Sequence, residues 1–198
     1  MKKCRVCKAK FEPFNSLQQV CSTACALQKA QKDLQKDAER KAKEQRQWIR
    51  EQKAKLKTRN QWRKEAQQAF NKFIRTRDEH EPCICCGQWG SDEAWKPGGQ
   101  WDAGHYLSVG SHPELRFDEA NCHKQLKSCN AGEGKFAHKR RTVSEEYRER
   151  LIQKIGQSEV DRLEGPHPAR HYSIDDFKEI KAYYNAKIRE LKAERKAA

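Results

Sequence analysis

No run of apolar residues in this 198-residue sequence is long enough to cross a bilayer, and none follows the Met1-Lys2-Lys3 start, where an export signal would carry one. The expectation is a protein of a reducing compartment, with neither signal peptide nor membrane span, whose thiols stay reduced. Apolar residues are scarce throughout: 35% are hydrophobic, 35% are charged and mean hydropathy is −1.17. That is too little for one continuous core of this size, so small units joined by a spacer fit better. Glycine and proline are missing altogether from residues 26–64. Acidic residues are too few to balance the bases, and the net charge of +14 points to an acidic partner, most commonly a phosphate polymer.

Against these shortages stand nine cysteines. Cys4, Cys7, Cys21 and Cys25 are spaced C-x2-C-x13-C-x3-C, which suits a zinc knuckle joined to the start of a helix. A segment this short has no core in which to bury four unrelated thiols. From Ala26 to Lys64 the chain is rich in Lys, Arg, Gln, Glu and Ala, and it reads as one long helix with at most one break. Fourteen Lys or Arg against five acids put nine of the net positive charges there. A DNA-contacting arm and a merely solvated helix both fit this pattern. The small apolar residues Leu27, Ala30, Leu34, Ala38 and Ala42 form a narrow seam compatible with a coiled-coil adaptor or a homodimer. Trp62, Ala66, Phe70, Phe73 and Ile74 fall on one helical face and are expected to be core. Residues 143–163 read as a helix. A last helix follows Ser173 as N-cap, with Phe177, Ile180, Tyr184, Ile188 and Leu191 as its apolar stripe.

Between these helices, residues 81–142 concentrate Gly, Pro, Trp, Cys and His. Cys83 and Cys86 form a second C-x-x-C, Trp101-Asp102-Ala103-Gly104-His105-Tyr106 ends a predicted strand on a histidine, and Asn121 is followed eight residues later by Cys129-Asn130. This is the layout of a zinc-stapled HNH nuclease. The whole chain resembles the NinG/Rap recombination nucleases of lambdoid phages, which process branched DNA such as Holliday junctions and D-loops. The most specific elements are Cys83-Ile84-Cys85-Cys86-Gly87, the Trp101–Tyr106 run, Leu115-Arg116-Phe117 and Asn121-x-His123-x-Gln125-x3-Cys129-Asn130. Cys129 to Gly134 with His138-Lys139 is similar to the metal-binding segment of the phage endonuclease VII family.

The resemblance implies an α-rich α+β protein of small zinc-bound modules with an HNH-type ββα-metal nuclease core and a long basic helix. Its expected divisions are a knuckle (1–25), a basic arm (26–61), a nuclease core (62–142) and carboxy-terminal helices (143–198). It implies structural zinc, a catalytic Mg2+ or Mn2+, a bacterial host cytoplasm, branched or single-strand-containing DNA as substrate, and phage or host recombination proteins as partners. Hydrolysis of a phosphodiester needs an activated water and a hard cation, and a histidine neutral near pH 7 is the natural base. His105 takes that role here, with Asp102 and Asn130 as oxygen donors, Glu133 as a further ligand and Asn121 orienting the His105 imidazole. His123 is open to three readings: the scissile phosphate, a zinc or a backbone carbonyl. Lys53, Lys55, Lys57, Arg59, Lys127, Lys135, Lys139, Arg140 and Arg141 are expected to hold DNA phosphates.

Two departures from the family pattern stand out. Leu126 occupies the position of a fourth zinc cysteine, and the Ser-Gly-Asn expected after Cys129-Asn130 is absent. If residues 122–129 are helical, Cys122 lies on the same face as Cys129 and is expected to complete the second zinc site, ahead of Cys85 and His123. A non-catalytic zinc-finger protein that binds nucleic acid is the rival reading.

Overall fold

The computed structural model describes residues 1–90, 100–131 and 143–197. It is helix-rich, with two small antiparallel sheets, and divides into two compact units, Met1–Lys57 and Thr58–Ala198. Among the described residues, no helix is long and apolar enough to cross a membrane.

In the first unit, β1 (Lys2–Lys3) pairs with β2 (Lys10–Phe11), and α1 (Thr23–Lys55) follows. Ser22 caps α1 by accepting from the Cys25 N–H, and Cys25 is the helix's one buried residue. The helix is therefore solvated along its length, about 50 Å at 1.5 Å per residue. Several of its acids are engaged within the helix, as in the Lys29–Asp33 and Asp37–Arg40 pairs, so the excess of positive charge faces water.

The helix expected over 26–64 has its one allowed break. The break falls at residues 56–58, and Thr58 starts α2 (Arg59–Arg77) with a reciprocal capping box to Gln61. The second unit is built on α2. Its apolar face buries Ala66, Phe70, Phe73 and Ile74 against α6 (Ile174–Ala197), where Tyr184 meets the Phe70 and Phe73 rings at 5.0 and 5.1 Å. Ser173 caps α6, accepting from the Asp176 N–H.

The same face of α2 supports a two-stranded ribbon, β3 (Trp101–His105) and β4 (Cys122–Leu126), in a regular antiparallel register from Trp101↔Leu126 to His105↔Cys122. A bidentate Arg77–Asp78 pair fastens the ribbon: Asp78 accepts from the Lys124 N–H, and Arg77 donates to the Cys122 and Glu119 carbonyls. The one-turn helix α3 (Lys127–Asn130) leaves the end of β4 directly. The other side of the core is closed by α4 (Val143–Ile155) and α5 (Gln157–Glu164), which bury Tyr147, Leu151, Val160 and Leu163 against Trp101, Leu115 and Leu126. The expected helix over 143–163 is thus split at Gly156, whose φ of +86° ends α4 and which a side chain would strain.

Candidate metal centres and histidine site

Two cysteine clusters rest on the same backbone turn. In the first, the Lys8 N–H donates to the Cys4 carbonyl (3.0 Å) and the Cys4 N–H to the Ala9 carbonyl (2.9 Å). In the second, the Gly87 N–H donates to the Cys83 carbonyl (2.8 Å) and the Cys83 N–H to the Gln88 carbonyl (3.0 Å). The fourth residue after each leading cysteine has positive φ, +62° at Lys8 and +70° at Gly87. The turn closes a C-x-x-C pair onto one point in space.

The four thiols of Cys4, Cys7, Cys21 and Cys25 lie within 4.8 Å of one another. Thiolates about 2.3 Å from a tetrahedral zinc are about 3.8 Å apart. The observed Cys7–Cys21 and Cys21–Cys25 separations of 3.5 and 3.7 Å fit that cage. Cys7, then Cys4 and Cys25, push the Cys21 thiol up to about 12, since four crowded thiols cannot all ionise without a cation among them. Phe14 and Leu17 of this unit are exposed, so little apolar packing would replace the metal.

In the second cluster Cys83, Cys86 and Cys129 converge within 4.8 Å. Leu126 offers no thiol, but its backbone N–H donates to the Cys83 sulfur at 3.2 Å. Burial, then the Cys83 and Cys85 thiols, push Cys129 up. The three thiols can hold zinc, and Cys85 is buried next to Cys129, with its sulfur 3.8 Å from a Glu146 carboxylate oxygen. Cys122 does not join them. Residues 122–126 are strand rather than helix, so Cys122 points to α2 and packs fully buried with Phe70 and Ala103. The helical spacing that would have aligned it with Cys129 does not exist.

His105 ends β3 on the α2 side, its ring centroid 6.0 Å from that of Phe70. Its Nε2 lies 3.0 Å from the Arg116 carbonyl. A carbonyl only accepts, so Nε2 carries the proton and Nδ1 keeps its lone pair in the neutral ring. Burial holds the His105 pKa below the usual histidine value. The Arg116 guanidinium lowers it further, although the carbonyl hydrogen bond opposes both. Arg116 itself feels the neighbouring Arg63 charge and donates to Gln67. Arg116 thus stands near this histidine and Arg63 near Arg116; of the two only Arg116 stands out in the sequence, within Leu115-Arg116-Phe117, where the motif gives it no role.

Asp102 and Asn130 do come together: the Asn130 amide donates to the Asp102 carboxylate at 3.1 Å. Because α3 is a single turn, Cys129 reaches the thiol cluster while its neighbour Asn130 reaches Asp102. Alternation along β3 turns Asp102 and His105 to opposite faces of the ribbon, about 10 Å apart along the strand. The structure does not bring His105 into contact with the Asp102–Asn130 pair.

Asn121 departs from its expected role. Fully buried, it accepts from the Leu107 N–H (2.8 Å) and donates to the Leu107 (3.0 Å) and Leu115 (3.4 Å) carbonyls. It therefore staples the connection between the strands, which contains Arg116, rather than the imidazole. His123 is buried opposite Gly104, with Nδ1 3.4 Å from the Tyr147 hydroxyl. Burial holds its pKa at about 3. It reaches neither thiol cluster nor solvent.

Lys53 and Lys55 are exposed in the last turn of α1, Lys57 lies in the break and Lys127 opens α3. Arg59 is otherwise engaged: its guanidinium donates twice to the Tyr172 carbonyl, at 3.0 and 2.8 Å, and lies over the Phe177 ring. Glu133, Lys135, Lys139, Arg140 and Arg141 lie outside the described residues.

Comparison with known proteins bears on the whole chain. The family model described as Bacteriophage Lambda NinG protein matches residues 1–194. The protein named ninG of Escherichia phage 933W is 38% identical over 208 residues, covering 100% of this chain and 96% of that protein. The ninG protein of Enterobacteria phage H19B is 40% identical over 209 residues, with the same coverage. That of Escherichia phage lambda is 43% identical over 143 residues, 72% of this chain and 63% of the relative. No solved structure matches the chain significantly.

Proposed function

This chain belongs to the NinG family of bacteriophage proteins, and on that premise we propose that it is a divalent-metal-dependent endonuclease that cuts branched DNA such as Holliday junctions and D-loops during recombination. The observation that carries the reading is the His105 ring, fixed by the Arg116 carbonyl in the tautomer that leaves Nδ1 as a base and kept neutral by burial. The succession β3, β4, α3, stapled by the Cys83, Cys86 and Cys129 cluster, supports an HNH-type ββα-metal core.

In this mechanism His105 Nδ1 takes the proton from the attacking water. Arg116, whose charge reaches the His105 ring, offsets phosphate charge. Asp102 and the amide oxygen of Asn130, turned inward by rotation of the amide, are the hard donors that fit Mg2+ or Mn2+. Such a cation, when bound, neutralises charge developing on the phosphate and the leaving oxygen. Zinc at the two thiol clusters is structural. Lys53 and Lys55 on α1 and Lys127 on α3 add affinity without base specificity.

Incubation of the purified protein with four-way, flap and linear duplex DNA, with and without Mn2+, tests the reading. Metal-dependent scission of the branched substrates is expected. One observation favours a second reading, a non-catalytic zinc protein that binds nucleic acid: Asp102 and His105 occupy opposite faces of the ribbon. Binding to all three substrates with cleavage of none would establish it.

A further inference from the structure

The Thr58–Ala198 unit carries a groove of about 430 Å³ that the residues assigned above do not fill. Lys72 and Arg75 of α2, Lys192 of α6, Trp101 and Lys124 of the ribbon, and Trp89 just beyond the Cys83–Gly87 turn line it. The volume falls in the range of pockets that seat small ligands, roughly 300–1,000 Å³.

Trp89 is the unusual member. Its indole is 65% exposed, whereas Trp101 is 8% exposed. The Lys124 ammonium lies between the two indoles, 5.7 Å from the Trp89 centroid and 4.2 Å from that of Trp101. Lys124 is itself held by donating to the Glu79 carbonyl at 2.8 Å. An aromatic face pinned by a buried cation and open to water at the lip of a groove is a stacking platform.

The walls suit an anion. Among the described residues, four cations line the groove against one carboxylate, Glu79, which is bonded to Arg195. Arg75 is half-buried, and burial disfavours its charge; among its neighbours Asp102 and Cys122 oppose that effect. Arg75 therefore links the groove to Asp102, the carboxylate assigned above to the catalytic cation. Paired DNA presents base edges, and only an unstacked base can lay its face on an indole.

We propose that this groove seats one unstacked nucleotide from the single-stranded part of branched DNA, its base on Trp89 and its phosphates on Lys72, Arg75 and Lys192. The inference rests on DNA being the polymer bound, as in the function proposed above, and it places the end of the paired region beside Asp102.

The test is binding in EDTA, where no cleavage occurs, read by fluorescence anisotropy with labelled oligothymidylate, flap DNA and fully paired duplex. Trp89→Ala weakens oligothymidylate and flap binding by about 5- to 150-fold, the scale of one base–aromatic stack, and leaves duplex binding within about twofold. Trp89→Phe keeps the aromatic face and most of the affinity. Lys72→Gln with Lys192→Gln flattens the salt dependence on oligothymidylate by about 0.7 for each phosphate no longer neutralised. Unchanged oligothymidylate binding by a folded Trp89→Ala protein overturns the proposal, and so does equal weakening on duplex. Should Trp89→Ala not fold, the salt slope of the lysine pair decides, an unchanged slope overturning it. Absence of cleavage by the wild type would leave this result standing, and failure of the platform would leave the nuclease reading standing.

Discussion

Replacing Asn121 by Ala removes a buried amide that satisfies three backbone groups, the Leu107 N–H and the Leu107 and Leu115 carbonyls. Each buried group left without a partner costs about 1–3 kcal/mol, less where water enters the vacated space, so a loss of about 2–5 kcal/mol is expected. A domain stable by roughly 5–15 kcal/mol survives that. The consequence for chemistry is indirect. Leu107 and Leu115 bracket the connection whose next residue, Arg116, fixes the His105 tautomer through its carbonyl. A histidine misplaced by about 1 Å loses on the order of 100-fold in rate, so single-turnover cleavage of a four-way junction should fall about 10- to 100-fold. DNA affinity should stay within about twofold, because no phosphate-binding residue is altered. Asn121→Asp keeps the acceptor for the Leu107 N–H but turns a carboxylate toward two carbonyls, and should destabilise at least as much as Ala. Urea denaturation of zinc-loaded protein measures the first effect and junction cleavage the second. Stability within about 0.5 kcal/mol of wild type would refute the staple. Lost stability with undiminished cleavage would refute its connection to His105.

Cys122→Ser should leave zinc content unchanged while lowering stability by about 1–3 kcal/mol, since it buries a hydroxyl among Phe70 and Ala103; metal analysis and melting separate the two effects. Cys129→Ser, by contrast, should lose the metal of the second cluster and keep that of the first. Stability should also fall with acid. The folded state holds His123 at about 3, so the unfolded chain takes up the proton first. The stabilisation is fully present above about pH 6.5 and is lost at roughly 1.4 kcal/mol per pH unit as pH falls toward 3. His105, also shifted down by burial, steepens the same slope. Urea midpoints from pH 8 to 5 should show this dependence weakened in His123→Gln; an equal slope would mean that the ring is not buried as described.

Helix faces are legible in the sequence because their periodicity survives burial on one side only. The Trp62–Ile74 face and the Phe177–Leu191 stripe meet each other as α2 against α6. The break between α1 and α2 is harder to see, since no Gly or Pro marks it. The signal present is Thr58-x-x-Gln61, which forms the capping box. Strand β4 carries no clear strand signal in the sequence, because all five of its residues are buried. A ribbon covered on both faces loses the alternation that identifies a strand, and indole and carbonyl partners help to accommodate Lys124. The placement of Cys122 beside Cys129 depends on helical spacing and fails with the hidden ribbon, whereas the role given to Asn121 comes from the family resemblance and not from its place in the fold. Residue spacing does reveal the four-thiol cluster and the three thiols of the second. It cannot reveal Arg63, which approaches Arg116 only through the fold.

The central claim is that His105 is the general base of a DNA-cutting site, and His105→Ala tests it most directly. The substitution leaves both thiol clusters and the basic surface in place, so zinc content, folding and junction binding should persist. Cleavage of a four-way junction in Mg2+ or Mn2+ should fall about 100-fold or more, the scale of a lost general base, and excess Mn2+ should not restore it. Asp102→Ala and Asn130→Ala should differ in being partly restored by Mn2+. Cleavage by His105→Ala at near the wild-type rate, in a preparation cleared of contaminating nucleases, would contradict the account.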